Sequence, residues 1–388
     1  MTDMSYTADI LDSLSQISPQ IWNRLANPAH LPYDPFISWD FLEAMERSGS
    51  ARPDTGWTPC HLMLRDSQDA ICAVMPLYAK THSQGEFVFD HAWADAFHRA
   101  GGPYYPKLLG AVPFTPVSGR RLLTGDAPPE TAHTLQLHLL SAAVQLAAQN
   151  NFSSLHVNFI HSETAKTLAD AGLLIRTDQQ FHWTNQDYAD FDAFLAHLSS
   201  AKRKNLRKER QKAQQGLTFA HLNGSDIQEH HWDAFFAFYM DTGGRKWGSP
   251  YLTREAFSLL GERMSPDILL ILAYAGERPI AGALNLIGGE ALYGRYWGCA
   301  EARPFLHFET CYYQAIDYAI EKGLKRVEAG AQGGHKLARG YAPVTTHSAH
   351  WIAHKGLREA IGDYLDHERN AVQRETTYLQ SRTPFKKS

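Results

Sequence analysis

Cysteine is scarce in this chain of 388 residues: only Cys60, Cys72, Cys299 and Cys311. No two of them form a CxxC pair. A disulfide framework and a zinc ribbon are therefore excluded as organising devices, and four reduced thiols are expected. The 20 histidines are many, yet none falls in an HExxH or Cys/His ligand spacing, so no metal site is expected. No apolar run reaches the roughly 18 residues that a membrane-spanning helix needs. The opening MTDMSYTADILDSLSQ has no basic cluster and no apolar core. No secretory leader is expected, and the location is read as cytoplasmic. P-loop, dinucleotide GxGxxG and Ser-His-Asp arrangements are also missing, so kinase, dehydrogenase and serine-hydrolase chemistry find no support.

What is present is ordinary globular material, with 44% hydrophobic and 20% charged residues. At roughly 100–200 residues per domain, the length implies two domains. The net charge of −4 argues against a protein that coats nucleic acid non-specifically.

Helix and strand signals alternate along the chain. In the first half, residues 36–48 read as a helix stopped by Gly49. Residues 59–65 and 70–78 read as strands joined by a polar turn. A long helix is expected over 129–150, where Leu135, Leu139, Leu140, Val144 and Leu146 form most of an apolar stripe. A strand at 155–160 and a helix at 163–171 follow. The second half repeats this order: helices at 229–240 and 253–264, strands at 269–275, 279–287 and 291–299, a helix at 306–322, and strands at 325–329 and 347–352. The pattern predicts a distant duplication of one mixed α/β unit, with domains 1–187 and 188–388.

The second domain opens on a charge run. KRKNLRKERQK, residues 202–212, holds seven basic residues and one acid. On a helix, Arg203, Arg207 and Arg210 share a face. Such a row can be a solvated face, or it can hold a diphosphate or nucleic-acid backbone, because arginine matches phosphate in a bidentate manner. Like charges one turn apart repel, so the concentration favours an anionic partner. Lys202, Arg203, Arg207 and Lys208 are the candidate phosphate contacts.

The chain resembles a known family. LSSAKRKNLRKERQKAQQG (198–216) is similar to the basic helix of the Fem-type aminoacyl transferases of peptidoglycan bridge synthesis. PYYPKLLGAVPFTPVSG, KWGSPYLT, YGRYWGC, LHFETCYYQ and EAGAQGGHKLARGYAPV resemble the FemAB-like peptidoglycan biosynthesis/recognition family, within the GNAT acyltransferase superfamily. The resemblance implies tandem GNAT-like domains, each a mixed, mostly antiparallel sheet flanked by helices. It also implies an acyltransferase that forms an amide on an amine acceptor, with no tightly bound cofactor. The donor would be aminoacyl-tRNA or acyl-CoA. The acceptor would be nucleotide-linked or peptidoglycan-related, so the partners are a phosphate-bearing substrate and a tRNA. Two family positions that carry acids are here Gly334 and Ala342. Their loss keeps a non-catalytic recognition module open as an alternative, beside an acyl-CoA-dependent N-acetyltransferase.

The GNAT resemblance implies a glycine-rich pyrophosphate loop ahead of the long helix whenever the donor is acyl-CoA. The corresponding AEARPF, residues 300–305, has no glycine, and Pro304 removes a donor. This favours aminoacyl-tRNA. Amide formation needs a proton acceptor and a held oxyanion. Glu328 at a strand end, His335 in the loop behind it and Glu309 at a helix start are the candidate catalytic groups. Each also has a structural reading: a buried ion pair for Glu328, with Arg295 as partner; a loop histidine bonded to backbone; a carboxylate favouring the helix dipole. Arg295 and Trp297, on one face of their strand with Tyr296 opposite, are candidate cleft walls, although tryptophan is more often core. Gln332, Lys336 and Arg339 are candidate binders in the AQGGHK loop and after it. Tyr104 and Lys107, in a Pro-bounded loop of the first half, are candidate substrate contacts, and the resemblance implies that Lys107 helps hold a diphosphate.

Overall fold

The computed structural model describes residues 6–247, 250–330 and 333–386. The chain divides into two compact units. One holds 1–178 and 346–372; the other holds 179–345 and 373–388. A single cut at 187/188 therefore misassigns the C-terminal strand and most of the last helix.

The strands, in chain order, are β1 (Thr7–Leu11), β2 (Trp57–Pro59), β3 (His61–Arg65), β4 (Ile71–Met75), β5 (Tyr78–Lys80), β6 (Lys107–Gly110), β7 (Ser154–Ile160), β8 (Leu174–Thr184), β9 (Thr218–Leu222), β10 (Ile268–Ala275), β11 (Arg278–Ile287), β12 (Ala291–Cys299), β13 (Arg326–Glu328) and β14 (Ala342–Ile352). The helices are α1 (Pro19–Ala26), α2 (Trp39–Arg47), α3 (His91–Arg99), α4 (Pro129–Gln149), α5 (Ser162–Asp170), α6 (Phe191–His197), α7 (Ser200–Ala213), α8 (Glu229–Trp247), α9 (Arg254–Arg263), α10 (Leu306–Phe308), α11 (Gln314–Glu321) and α12 (Lys355–Gln380).

In the first unit β2, β5 and β6 pair antiparallel, β6 and β7 pair parallel, and β7 pairs antiparallel with β14. In the second unit β9 to β12 form an antiparallel meander, β12 and β13 pair parallel, and β13 pairs antiparallel with β8. The shared sequence of antiparallel, parallel and antiparallel pairings is the repeat that the sequence pattern implied. Each parallel step needs a helical crossover, supplied by α4 in one unit and by α10–α11 in the other.

Local chemistry explains the boundaries. Ser38 accepts the Phe41 N–H at the start of α2, and Gly49 behind it sits at φ 72, a conformation that costs glycine little. Asp190 caps α6 through the Ala193 N–H at 2.7 Å. α4 buries Leu135, Leu139, Leu140 and Ala143 against Leu108 of β6 and Leu155 of β7, and against Leu62 of β3, which belongs to a separate three-stranded β1–β3–β4 sheet. In the second unit Leu206 of α7 packs with Leu292, Ile316 and Val327, so the charged helix is moored by one apolar face.

The helix expected over 306–322 is continuous in direction but not in type. A π turn, Glu309–Tyr313, interrupts it between α10 and α11. Such an insertion rotates the side chains around it and is frequent at functional sites.

Candidate active site

Parallel pairing of β12 with β13 covers only Ala291–Tyr293 of β12. β13 ends at Glu328, whereas β12 continues to Cys299 along β11. A gap opens where the two strands part. It is a pocket of about 140 Å³ lined by Asn285 on β11, Gly294, Arg295 and Trp297 on β12, His307, Cys311 and Tyr312 on the helical turn, and Ala329.

The side chains reach this pocket because β12 bulges. Leu284 pairs with Tyr296 and Asn285 pairs with Gly294, which leaves Arg295 as the extra residue. A bulge re-aims the side chain it carries. The expected alternation is therefore broken: Arg295 and Tyr296 do not face opposite sides. The Arg295 guanidinium lies 5.4 Å from the Tyr296 ring. Burial lowers the Arg295 pKa, while Tyr296 and Glu328 oppose that shift. Trp297 forms part of the wall, 5.1 Å from the His307 ring.

The helical turn and the loop after β13 close the site. Tyr312 Oη lies 3.0 Å from His335 Nε2, and the His335 ring packs 5.5 Å from Phe308. His335 is otherwise exposed, so this pair joins the pocket to solvent. Burial raises the Tyr312 pKa. Lys336 is buried. Its Nζ donates to the carbonyls of Ala329 at 2.5 Å and Gly330 at 2.9 Å, and burial lowers its pKa to about 8 against an opposing Cys311. It fastens the chain leaving β13 rather than projecting as a free anion anchor. Arg339 stacks 3.4 Å over the Phe308 ring and donates to the His335 carbonyl at 2.7 Å and to Glu209 at 2.8 Å. It holds the His335 turn in place. Gln332 lies outside the described residues.

Glu328 is buried and does not line the pocket. Its partner is Arg326, two residues earlier on the same strand face, at 2.9 Å; the pairing with Arg295 expected from sequence is not made directly. His182, directly across on β8, stands 3.6 Å away. Burial lowers the His182 pKa, and Glu328 opposes that.

Glu309 is fully buried. Its Oε1 accepts from Gln214 at 2.8 Å and Gln314 at 2.7 Å and lies 3.3 Å from Arg210 Nε. Burial raises its pKa against the pull of Arg210. It is a clamp between the π turn and α7, not a free helix-start carboxylate.

The basic run is indeed a helix, α7, but its arginines are not equivalent. Arg210 turns inward to Asp317 and Glu309 and lies 4.3 Å from the Phe191 ring. Arg207 makes an exposed pair with Asp192 at 2.8 Å. Lys202, Lys204 and Lys208 are exposed and Arg203 is half-buried. None of these side chains lines the pocket.

Tyr104 and Lys107 belong to the interior of the first unit. Lys107 is the first residue of β6, not a loop residue, and is fully buried. Its Nζ donates to Ser83 Oγ and Glu86 Oε2, each at 2.8 Å, and to Asp90. Tyr104 Oη donates to Asp90 at 2.7 Å. Beside them His156 Nδ1 lies 2.6 Å from His350 Nδ1. With three polar partners enclosing it, the Lys107 ammonium is not presented to a ligand.

Sequence reading missed Asn285, His307, Cys311 and Tyr312 as pocket residues. The one local signal was an amide in an otherwise apolar strand, PIAGALNLI. It also missed the buried cluster of the first unit, where His156 sits in the apolar LHVNFI.

A family model described as FemAB-like, peptidoglycan biosynthesis/recognition, matches residues 13–387. Among solved structures the chain is similar to FemX, with 12% identity, coverage of 92% of this chain and 100% of that one, and a TM-score of 0.54. It is also similar to the C-terminal domain of a putative lysylphosphatidylglycerol synthetase from Agrobacterium fabrum, with 9% identity, 89% and 96% coverage and a TM-score of 0.53. A third similarity is to L-PGS from Bacillus licheniformis, with 10% identity, 92% and 98% coverage and a TM-score of 0.50. At such identities the likeness is one of fold. No curated protein matches the chain by sequence. Among the described residues no helix is long and apolar enough to cross a membrane.

Proposed function

The chain belongs to the FemAB-like family of peptidoglycan biosynthesis/recognition, and on that premise we propose that it is an acyl or aminoacyl transferase forming an amide on an amine acceptor. One observation carries the reading: the pocket where β12 and β13 part receives a bulged arginine and adjoins a tyrosine–histidine pair. In the proposed step the amine nitrogen attacks the acyl carbon, a C–N bond forms and the ester C–O bond of the donor breaks. Arg295 would hold the oxyanion of the tetrahedral intermediate. The amine proton would pass through Tyr312 to His335, and the leaving oxygen would take one up.

Aminoacyl-tRNA is the donor that this reading favours. The loop before α10 lacks the features of an acyl-CoA cradle. Pro304 has no N–H, and the Leu306 N–H is spent on the Arg303 carbonyl at 3.3 Å. The Glu301 carboxylate stands in the loop and pairs with Arg278 and Arg303, so an anion there would meet a like charge. The cations of α7, Lys202, Arg203 and Lys208, would contact phosphates of the tRNA or of a nucleotide-linked acceptor.

The test is a transfer assay on the full chain, with labelled aminoacyl-tRNAs or acetyl-CoA offered beside peptidoglycan-precursor amines. Transfer from aminoacyl-tRNA that falls steeply in Arg295→Met supports the reading. Transfer from acetyl-CoA overturns the donor, and so does a large thermal shift with it; a ligand at 100 times its Kd adds about 2.7 kcal/mol. No transfer from any donor, together with retained precursor binding, would leave a recognition module.

A further inference from the structure

We infer that the pocket contains a primary-amine subsite built on Asn285 Oδ1; the inference rests on the transferase reading and deepens it. Asn285 is 1% exposed. Its Nδ2 donates to the carbonyls of Leu269 and Ala283, both at 3.3 Å. Those two acceptors fix the orientation of the amide, because the reverse would set oxygen against oxygen. Oδ1 is thereby turned away from them, and it has no hydrogen-bond partner although Asn285 lines the pocket.

Gly294 explains why no side chain stands over this buried oxygen. It is the residue paired with Asn285 across the strands. A Cβ at position 294 would stand 3.5 Å from Asn285 Oδ1 and 3.4 Å from the Glu328 carbonyl, ordinary contact distances. Alanine would therefore fit, and its methyl would cover the oxygen. With glycine in place the buried, unpartnered oxygen has no side chain over it from the residue opposite, and both residues line the pocket.

A buried acceptor of this kind recognises a group that brings a hydrogen. At about 140 Å³ the pocket is smaller than the roughly 300–1,000 Å³ of sites that enclose a whole ligand, so it takes a terminal group. Arg295 sits in the same lining. Its positive charge disfavours an ammonium and so favours the neutral amine, which is the form that attacks an acyl carbon. Asn285 accordingly acts as a positioning residue: it accepts one N–H and directs the nitrogen lone pair. The amine can come from the acceptor or from the α-amino group of an aminoacyl donor.

The test reads binding without turnover, by ligand-observed NMR on the full chain, with propylamine as the acceptor probe and glycinamide as the aminoacyl probe. Wild type binds at least one. Preference for propylamine assigns the subsite to the acceptor, and preference for glycinamide assigns it to the donor; either result supports the inference. Asn285→Leu and Gly294→Ala each weaken binding by about 10-fold or more. Gly294→Ala keeps both bonds made by Asn285 Nδ2, so it decides the matter if Asn285→Leu fails to fold. The inference is overturned if neither probe binds wild type, or if Gly294→Ala binds as wild type does. Amine binding without any transfer retires the transferase reading and leaves the subsite. Transfer with an unchanged amine KM in Gly294→Ala retires the subsite and leaves the transferase.

Discussion

Replacing Lys107 by methionine tests whether the buried cluster of the first unit is structural. The substitution keeps most of the side-chain volume and removes one charge. It abolishes hydrogen bonds to Ser83, Glu86 and Asp90. Bonds to charged groups contribute about 1.5–3 kcal/mol each. Part of the loss is offset, because burial already raises the Glu86 pKa to about 7 against Lys107, and Glu86 can take up a proton once the lysine is gone. Asp90 starts lower: burial pushes its pKa up, but Lys107 and His156 hold it below the usual range. Without Lys107 the strongest of those pulls is gone, so Asp90 must either take up a proton or stay as an unpaired buried anion, and both cost stability. The net cost should be about 3–5 kcal/mol, the range for breaking one side of a buried ion pair. Trp93, 5.0 Å from His350 and 6.3 Å from His156, is a reporter for urea titrations. The triple change Lys107→Met, Glu86→Gln, Asp90→Asn should recover most of the loss, since no charge remains buried. A cost below about 1 kcal/mol for Lys107→Met, or a rise in substrate KM at unchanged stability, would contradict a structural role and return Lys107 to the substrate.

Three other outcomes are expected. Glu86→Gln should gain stability relative to wild type as pH rises from 5 to 8. The folded pKa of about 7 exceeds the ordinary value of 4.5, so the stability that Glu86 contributes is complete below 4.5 and is lost as pH climbs through 7. The differential is at most about 3 kcal/mol, read as the difference between denaturation midpoints at the two pH values; a flat difference would count against it. Arg295→Met should lower kcat by about 10²–10³ with the fold intact by circular dichroism, and an unchanged kcat would remove Arg295 from the chemistry. Reversing Lys202, Arg203 and Lys208 to glutamate should weaken tRNA binding. It should also flatten the salt dependence, by about 0.7–0.9 in the log–log slope for each phosphate no longer neutralised; an unchanged slope would make α7 a solvated face only.

Local and periodic features were legible from the amino acids alone. The apolar stripe of α4, the apolar runs of β10 and β11, the stop at Gly49 and the cationic helix all belong here, because periodicity and glycine conformation act over a few residues. The order of elements in the two halves made the repeat legible as well. Everything long-range waited on the packed fold. It paired β7 with β14 and β13 with β8, which no cut of the sequence at one point could express. It placed the bulge at Arg295 and the π turn at Glu309, and so sent Cys311 and Tyr312 to the pocket while Glu309 closed on Arg210 and Gln214. It also buried Lys107 and Lys336, two lysines whose place in the sequence suggested that they were open to ligands. A side chain's freedom to bind depends on whether its polar atoms are already satisfied by residues far away in the chain, and that pairing exists only once the chain has folded.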